Sequence, residues 1–454
     1  MNIACIGSGY VGSVTAAAFA ATGHKVTIID IDEARIAMIR QRKSPIYEPG
    51  LDLLIQETYG NTLFAATDYG SVAGADIVMI CVGTPSRKDG SVDLRYVKQA
   101  AESVATHLSN EHFTVIANKS TVPVGTSDLV ASIVEQKAKL IRGKHFAVVS
   151  NPEFLREGFA LQDVFYPDRI IVGFSEAIAN EMMNRLYEPI MERRGFAQFN
   201  RKLNLQPAEN RTVYFATDTK SAELIKYASN AFLAVKISYV NDIARLCEAV
   251  GANASDVAAG MGLDSRIGNK FLQVSSGWGG SCFPKDTLEL MMTGRKYGVK
   301  LGTVAAAIEA NELMQHYCVT KLRKQLKTMN GKTVAILGLT FKANTDDVRN
   351  SQAEAIISEL LEFGTNVKVH DPQGMAMFQR LYGNLKVEYC QTAMDAITHA
   401  DACMLLTDWE EYRMLDWSAV RARMRNPYLL DTRNALPAAE MKATGFIYEG
   451  LGIP

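Results

Sequence analysis

The 454-residue sequence predicts an α/β fold of two doubly wound, Rossmann-like domains joined by a long central helix. Three observations carry this prediction. A glycine-rich turn stands between two short apolar runs near residue 1, a second series of apolar runs begins after residue 330, and residues 221–250 contain neither glycine nor proline. We therefore expect three domains: residues 1–215, a helical middle domain over 216–318, and residues 319–454.

The composition is that of a globular protein, with 48% hydrophobic residues, 21% charged residues and a formal net charge of -1. Nucleic-acid and anionic-membrane surfaces concentrate Lys and Arg, so this balance argues against both kinds of partner. No apolar run approaches the roughly 18–20 residues of a membrane helix, and no basic leader precedes the first motif. The seven cysteines form no CxxC pair, and the seven histidines do not cluster with cysteines or carboxylates. We expect a cytoplasmic protein without a disulfide framework or a metal.

The first 30 residues have the pattern of a dinucleotide-binding βαβ unit. An apolar run leads into Gly7-x-Gly9-x-x-Gly12, and a helix-like stretch and a second apolar run ending at Asp30 follow. The glycines permit a tight turn and let a pyrophosphate approach a helix N-terminus, where free N–H groups favour an anion. Asp30 lies 18 residues after Gly12, and its carboxylate suits a ribose 2′-hydroxyl but repels a 2′-phosphate. The expected cofactor is therefore NAD rather than NADP.

Three further strand-like runs in the first domain end in polar loops, at residues 75–85, 113–126 and 146–158. In an open parallel sheet, the loops at the carboxyl ends of the strands form the ligand crevice. We expect polar residues of these loops to face the reacting end of the cofactor: Thr84, Ser120, Thr121, Glu153 and Glu157.

Residues 221–250 predict one long helix. Apolar residues recur at three- and four-residue steps on more than one side, and Gly251 is a stop signal. At ~1.5 Å per residue the helix would be about 45 Å long, more than one small domain requires. We interpret it as a spine between domains whose excess apolar surface makes a homodimer or a higher homo-oligomer. Two helices with a kink between them are the alternative.

The second series of strand-like runs includes KTVAILGLTF, NVKVHDP, DACMLLT and YLLDTRN, with a helix expected at 351–363. This array contains Gly338 but no GxGxxG, so we expect it to bind something other than a second dinucleotide. Helices are expected over 287–329.

One segment, residues 192–214, is more polar and basic than its surroundings. We expect it to form a surface hairpin or excursion with a solvated face. A contact to substrate or to a neighbouring subunit is the alternative.

Long motifs run in order through nearly the whole chain: GSGYVG, SPIYEPGL (44–51), CVGTP, KSTVPVGT, NPEFLREG, PDRIIVG (167–173), SAELIKYASNAFLA, RIGNKFL (266–272), GGSCFPKD, LGLTFKANTDDVRNS (337–351) and DTRN (431–434). Together they resemble the UDP-glucose/GDP-mannose dehydrogenase family, and most closely its UDP-glucose-oxidising branch. The resemblance implies oxidation of the sugar C6 alcohol to a carboxylate with two NAD and one water, without release of the aldehyde. It also implies an NAD-binding first domain, a central dimerisation domain and a C-terminal domain that binds the UDP-sugar.

The resemblance gives a role to Cys282, which stands in the glycine-rich loop GWGGSCFPKD. A thiolate adds to the aldehyde to give a hemithioacetal, a second hydride leaves, and water cleaves the resulting thioester. Nearby cations or loop N–H groups would supply the thiolate character. A free cysteine is more often a small buried hydrophobe, which is what we expect of the other six.

The resemblance also implies roles at the reacting carbon. Lys226 would stabilise the developing oxyanion, with Asn230 beside it. Asp286 would order a water that Thr121 also holds, and Glu153 would assist thioester hydrolysis. How the acid and base work divides among Glu153, Asp286 and a water stays open.

Two further sets of residues follow from the resemblance. The residues implied to bind the cofactor are Gly7, Gly9, Tyr10, Val11, Gly12, Asp30, Arg35, Thr84, Thr121, Glu157, Lys285 and Arg349. The residues implied to contact the nucleotide sugar are Glu153, Phe154, Leu155, Arg156, Lys226, Asn230, Arg266, Phe271, Gly279, Phe341, Lys342 and Arg433. Arginine suits a diphosphate because its planar fork donates two hydrogen bonds at once, and Arg266 would reach across the dimer.

Alternatives remain within and outside the family. Ser281 rather than a histidine precedes the cysteine, which favours UDP-glucose over UDP-N-acetylhexosamines, whereas GDP-mannose stays open. A single-step dehydrogenase of the 3-hydroxyacid type would need neither the cysteine loop nor the second α/β domain. A non-enzymatic NAD-binding regulator would lack catalytic groups that this sequence has. Trp278 replaces the smaller aromatic residue usual in the family, so we expect it to narrow the entrance of the loop.

Overall fold

The computed structural model describes residues 1–453 and divides into two compact units, one of Met1–Ala228 and one that begins at Ser229. Each unit contains a mostly parallel sheet, and the division falls inside one long helix. The predicted fold class is therefore confirmed.

Within residues 1–228 the strands are β1 Asn2–Ile6, β2 Lys25–Ile29, β3 Leu63–Ala66, β4 Ile77–Ile80, β5 Thr114–Asn118, β6 Phe146–Ser150, β7 Arg169–Gly173 and β8 Val213–Thr217. The helices are α1 Tyr10–Ala21, α2 Glu33–Arg40, α3 Leu51–Thr58, α4 Arg95–His107, α5 Thr126–Ala138, α6 Ala160–Phe165, α7 Ala177–Met191 and α8 Ala197–Lys202, with a 3-10 turn at Gly70–Gly74.

The first sheet has the strand order β3-β2-β1-β4-β5-β6-β7-β8, parallel except where β6 meets β7. Alternate residues of one strand enter different apolar clusters: Ile3 and Cys5 pack in one, and Ala4 and Ile6 in the other. Because successive side chains of a strand point to opposite faces, helices cover both faces of this sheet. The order reverses between β1 and β4, which places the ligand crevice at the carboxyl ends of those two strands.

The long helix α9 runs from Thr219 to Val250, and the helices after it are α10 Ala254–Gly262, α11 Phe283–Lys296, α12 Gly302–Leu326, α13 Gln352–Glu362, α14 Met375–Tyr382, α15 Ala393–Ile397, α16 Glu410–Arg413, α17 Trp417–Arg423 and α18 Ala438–Ala443. The second sheet consists of β9 Thr333–Leu337, β10 Asn366–His370, β11 Val387–Tyr389, β12 Ala402–Leu405, β13 Tyr428–Asp431 and β14 Ile447–Gly450. Its order, β11-β10-β9-β12-β13-β14, repeats that of the first six strands.

The 32 residues of α9 form one continuous helix, so the prediction of a single helix is confirmed and the two-helix alternative is wrong. Within residues 1–453, no helix combines the length and the apolar character needed to cross a bilayer.

Most of residues 192–214 are exposed, so the expectation of a surface excursion with a solvated face is confirmed, although the segment is partly helical rather than a hairpin. Helix α8 forms inside this segment, and Phe196, Phe199 and Leu205 are buried. The rings of Phe196 and Phe165 stack with their centroids 4.7 Å apart. Burying a large apolar side chain contributes roughly 1.5–3 kcal/mol, so these three residues anchor a segment that is otherwise mostly exposed.

Candidate functional site

The glycine turn after β1 has a conformation that only glycine fits. Gly7 has φ +101°, and a Cβ there would lie 2.8 Å from the carbonyl oxygen of Cys81. A Cβ on Gly12 would lie 1.9 Å from the carbonyl oxygen of Gly7. Gly9 is the N-cap of α1 and offers no capping side chain. The turn is thus a cradle bounded by backbone N–H groups, which suits a pyrophosphate.

Asp30 follows β2 and accepts hydrogen bonds within the same turn. Its Oδ2 accepts from the Ser8 N–H and from the Ser8 hydroxyl, both at 2.6 Å, and its Oδ1 accepts from the Asp32 N–H at 3.0 Å. Burial raises the pKa of Asp30, but the Ser8 and Asp32 donors, with Arg35, outweigh burial and lower it. The carboxylate therefore stays ionised and able to accept from ribose hydroxyls, so these residues fit NAD. Ser8 was not among the residues predicted from the sequence.

A buried carboxylate, Glu48, connects this turn to the loop after β6. It accepts from the Tyr10 hydroxyl and from the N–H groups of Gly158 and Ala160, the latter two at 2.7 Å. Burial raises the pKa of Glu48 above its usual range. The motif over 44–51 contains Glu48, but its pattern alone assigned this residue no role.

Glu153 and Lys226 form a buried ion pair in the first unit. Glu153 Oε1 lies 2.9 Å from Lys226 Nζ, and the side chains are 6% and 4% exposed. Glu153 Oε2 also accepts from the Leu155 N–H at 2.6 Å. Burial raises the pKa of Glu153, but the charge of Lys226, the Leu155 N–H and the charge of Lys119 together lower it. The Glu153 carboxylate is therefore held in its ionised form beside Lys226.

Phe154, next to that pair, lies between two cations. Lys226 Nζ is 5.2 Å and Arg169 Cζ 4.2 Å from its ring centroid, which holds the ring in place by cation–π contacts. Arg156, which was predicted to contact substrate, forms a 2.6 Å ion pair with Asp163.

The remaining predicted residues of the first unit sit where the cofactor crevice was expected. Thr84, Thr121 and Glu157 are partly exposed on the loops after β4, β5 and β6. Val11 is partly buried in the first turn of α1, and Arg35 pairs with Asp32 at 3.4 Å.

In the second unit, Cys282 is the N-cap residue of α11. It is partly exposed, whereas the other six cysteines are buried, as predicted. The free N–H groups and dipole of a helix N-terminus favour a thiolate. Burial instead disfavours the thiolate at two other cysteines. It raises the pKa of Cys318 to about 12 and that of Cys390 to about 11. Cys282 alone thus combines access with an anion-stabilising position.

Asp286 lies in the first turn of α11 and is fully buried. Its Oδ2 accepts from Asn230 Nδ2 at 2.6 Å, and its Oδ1 lies 2.5 Å from Lys285 Nζ. Lys285, which was predicted to bind the cofactor, thus neutralises Asp286. Asn230 comes four residues after Lys226 on α9, about one helical turn.

Three predicted substrate residues lie on loops of the second sheet. Arg433 is partly buried, and its guanidinium donates to the carbonyl oxygens of Leu406 at 2.7 Å and of Phe341 at 2.6 Å. Burial lowers the pKa of Arg433. A Cβ on Gly280 would lie 3.0 Å from the Phe341 ring, so this ring packs against the cysteine loop, and Lys342 Nζ lies 5.6 Å from the ring centroid.

Two predicted arginines are paired with nearby carboxylates. Arg266 is 87% exposed and forms a 2.6 Å ion pair with Asp264. Arg349 makes a bidentate contact with Asp347, at 2.8 Å and 2.7 Å. The contacts of these arginines to a diphosphate or to the cofactor remain predictions.

Phe271 and Gly279 belong to the chain that leads into α11. Phe271 has a left-handed backbone with φ 63°, and its ring centroid is 6.3 Å from that of Phe283. A Cβ on Gly279 would lie 2.2 Å from the Asn350 carbonyl oxygen, so only glycine fits there.

The expectation that Trp278 narrows the entrance of the loop is wrong. The side chain is buried, and its indole N–H donates to Ser238 Oγ at 2.9 Å. The larger ring therefore packs inward, because its polar edge finds a buried partner there.

Known proteins match the chain over nearly its whole length. Models of the UDP-glucose/GDP-mannose dehydrogenase family match at residues 1–191 (NAD binding domain), 220–313 (central domain) and 335–438 (UDP binding domain). UDP-glucose 6-dehydrogenase TuaD of Bacillus subtilis is 42% identical over 456 residues, which cover 100% of this chain and 93% of that protein. UDP-glucose 6-dehydrogenase of Rhizobium meliloti is 42% identical over 460 residues, which cover 100% of both.

Solved structures agree with this match. A UDP-glucose dehydrogenase from the hyperthermophilic archaeon Pyrobaculum islandicum has a TM-score of 0.88 at 34% identity, with 100% of this chain and 98% of that chain covered. The single-step and non-enzymatic alternatives do not account for a match to all three domains. The chain therefore belongs to the UDP-glucose/GDP-mannose dehydrogenase family and is an NAD-dependent oxidoreductase.

Proposed function

We propose that the protein is a UDP-glucose 6-dehydrogenase that converts UDP-glucose to UDP-glucuronate through a covalent intermediate on Cys282. The observation that carries this proposal is the first turn of α11, where an accessible cysteine at the helix N-terminus is followed by a buried Asp286 held by Asn230 and Lys285. The 42% identity to curated UDP-glucose 6-dehydrogenases supports UDP-glucose as the sugar.

The covalent step follows from the position of Cys282. The thiolate attacks the C6 aldehyde carbon, a C–S bond forms, and the carbonyl oxygen takes up the electron pair and a proton to give a hemithioacetal. Bound NAD, held by the glycine turn and Asp30, would supply the hydride acceptor for each of the two oxidations. Loss of a hydride from C6 and a proton from its oxygen then leaves a thioester on Cys282.

Hydrolysis requires a base and an oxyanion stabiliser, and the buried ion pair offers both. The low pKa of Glu153 keeps it ionised, so it can accept a proton from the attacking water. Lys226 carries the opposite charge and stabilises the tetrahedral oxyanion. The C–S bond then breaks, Cys282 leaves as the thiolate, and the sugar leaves as the carboxylate.

Asp286 has a different role in this scheme. Its carboxylate already accepts from Asn230 and Lys285, so its position is set by two donors. We assign it to order a water together with Thr121 and to assist proton transfer from the C6 hydroxyl.

The UDP moiety is assigned to the C-terminal crevice, between β9 and β12, where the strand order of the second sheet reverses. Phe341 and Lys342 follow β9, and Arg433 follows β13, on the carboxyl-end loops expected to meet a ligand. The guanidinium of Arg433 donates to two carbonyl oxygens and so shapes this loop. We assign Lys342 and the exposed Arg266 to the diphosphate, for which Arg266 would exchange its contact with Asp264.

Two further proposals concern the whole protein. A homodimer or higher homo-oligomer through α9 is supported by its exposed apolar residues, which include Phe232, Tyr239, Leu246 and Val250. A cytoplasmic location is supported by seven free cysteines. We retain the division into domains at residues 1–215, 216–318 and 319–454 as part of the proposal.

The decisive assay counts NADH per sugar consumed with UDP-glucose, GDP-mannose, UDP-galactose and UDP-N-acetylglucosamine. Two NADH per UDP-glucose and slower turnover of the other sugars are expected. A ratio of one, or no turnover of UDP-glucose, would overturn the proposal, and faster turnover of GDP-mannose would reassign the substrate.

A further inference from the structure

Asn311, on α12, holds the backbone of the loop that contains Cys282. We define the cysteine loop as residues 274–282. The Trp278 N–H donates to Asn311 Oδ1 at 2.7 Å, and Asn311 Nδ2 donates to the Trp278 carbonyl oxygen at 3.0 Å. The Asn311 side chain thus forms hydrogen bonds with both the N–H and the carbonyl group of Trp278, as the backbone of a neighbouring strand would.

A second connection runs from the same loop residue to the same helix. The Trp278 indole N–H donates to Ser238 Oγ at 2.9 Å, and the Ser238 hydroxyl donates to the Ala307 carbonyl oxygen at 2.6 Å. Ala307 and Asn311 are four residues apart on α12, about one turn. Helix α12 therefore fixes Trp278 at its backbone directly and at its side chain through Ser238.

The cysteine loop is buried and packs closely against Asn311, which leaves its backbone little room to move. A Cβ on Gly277 would lie 2.5 Å from Asn311 Oδ1, so glycine is what permits the amide to approach. Residues 274–280 are buried. A buried peptide group that loses its partner costs about 1–3 kcal/mol, so loss of the Asn311 amide would force the loop to move.

We propose that Asn311 is a positioning residue for Cys282 and acts through the backbone of Trp278. This inference rests on the proposed function and specifies how the thiol is held for the second oxidation. Removal of the first hydride, from the alcohol, does not require a thiol, whereas the second oxidation begins only when Cys282 reaches the aldehyde. A displaced loop should therefore impair the second oxidation selectively and let aldehyde escape.

The primary test is Asn311→Asp. The variant keeps the acceptor for the Trp278 N–H but replaces the donor with a carboxylate oxygen that faces the Trp278 carbonyl. We expect kcat to fall at least about tenfold, as misplacement of a reacting group does, while KM for UDP-glucose changes less than about threefold. NADH per sugar should fall from two towards one, and a hydrazide reagent should trap free aldehyde.

The chain offers a matched control in Asn434. Its Nδ2 donates to the Leu451 carbonyl oxygen at 2.9 Å, and its Oδ1 accepts from the Leu451 N–H at 2.9 Å. Asn434 thus makes the same two hydrogen bonds to the backbone of buried Leu451 that Asn311 makes to the backbone of Trp278. Asn434→Asp should retain two NADH per sugar. If both variants release aldehyde equally, or if neither does, Asn311 has no specific effect on Cys282 and the inference is wrong.

Trp278→Phe keeps an aromatic side chain but removes the indole N–H together with the five-membered ring, so it tests the second connection in a variant that should fold. Its control is Trp417→Phe, because the buried Trp417 indole N–H also donates one hydrogen bond, to the Tyr412 carbonyl oxygen at 3.1 Å. We expect Trp278→Phe to release aldehyde and Trp417→Phe not to release it. Equal aldehyde release by the two variants would contradict the inference.

A substrate-free measurement separates this inference from the proposed function. The rate of Cys282 alkylation by iodoacetamide, followed by mass spectrometry, should change at least about threefold in Asn311→Asp and Trp278→Phe and not in their controls. If the parent enzyme fails to oxidise UDP-glucose, the proposed function falls, but this rate still decides whether Asn311 positions the thiol. Unchanged alkylation in both variants would overturn the inference.

Discussion

Lys226 Nζ and Glu153 Oε1 lie 2.9 Å apart, and neither side chain is more than 6% exposed. Such a pair costs several kcal/mol to remove from water, and its mutual attraction only partly offsets that cost. The two charges therefore depend on each other, and removal of either one leaves a buried charge without its counterion.

Lys226→Met should accordingly destabilise the fold by about 3–5 kcal/mol and reduce kcat at least about a hundredfold. The double variant Lys226→Met/Glu153→Gln removes both charges and should recover most of the stability but none of the activity. Urea unfolding and steady-state kinetics measure the two effects. If Lys226→Met were as stable as the parent protein, the buried ion pair between Lys226 and Glu153 would be contradicted.

The ion pair also predicts a pH dependence of stability. The pKa of Glu153 is lower in the folded protein than its ordinary value of 4.5. The stability that Glu153 contributes is therefore fully present above pH 4.5 and is lost as the pH falls through the lower folded pKa. The difference in unfolding free energy between the parent and Glu153→Gln should be large at pH 7 and shrink below pH 4. If this difference in unfolding free energy grew as the pH fell, the pKa of Glu153 would be raised rather than lowered in the folded protein.

Cys282→Ser should stop carboxylate formation, because an alcohol does not form the thioester that water then cleaves. We expect no more than one NADH per sugar, with trapped aldehyde, and no covalent sugar adduct by mass spectrometry. Cys390→Ser is the control, since that thiol is buried and its pKa is raised to about 11. Carboxylate release by Cys282→Ser at the parent rate would rule out the thioester.

Asp30→Ala should raise KM for NAD about tenfold, because the variant loses the carboxylate that we propose accepts from the ribose hydroxyls. It should also reduce the preference for NAD over NADP, since repulsion of the 2′-phosphate disappears with it. Asp32→Ala removes a carboxylate two residues away that caps α2 through the N–H groups of Ala34 and Arg35. This control should lose stability, by about 1 kcal/mol, and keep its cofactor preference.

Local patterns made part of the geometry of the candidate site predictable. The turn at Gly7 and the acid at Asp30 are adjacent in space because one βαβ unit forms both, and Asp286 follows Cys282 by a single helical turn. Hydrophobic periodicity likewise predicted α9 as one helix.

Contacts between distant parts of the chain were not predictable. Glu48 meets Gly158 across 110 residues, and Asn311 meets Trp278 across 33, and neither contact leaves a periodic signal. The composition of residues 192–214 indicated an exposed excursion, but it did not indicate that Phe196, Phe199 and Leu205 are buried.

The two sheets, which share the same order of their first six strands, also have equivalent residues at the ends of their first two strands. Gly7 follows β1 with φ +101° and packs against Cys81, and Gly338 follows β9 with φ +104° and packs against Thr407. The acid after the second strand of each sheet also accepts from the residue after that glycine: Asp30 from the N–H of Ser8, and Asp371 from the N–H of Leu339.

The two sheets therefore share a glycine and an acid at equivalent positions. In the second sheet, Asp371 also accepts from the N–H groups of Thr340, Gln373 and Gly374 and from the Trp409 indole, so its oxygens are already occupied by its own loop. The acid at this position therefore closes its own loop through more donors in the second sheet than in the first, where Asp30 accepts from Ser8 and Asp32.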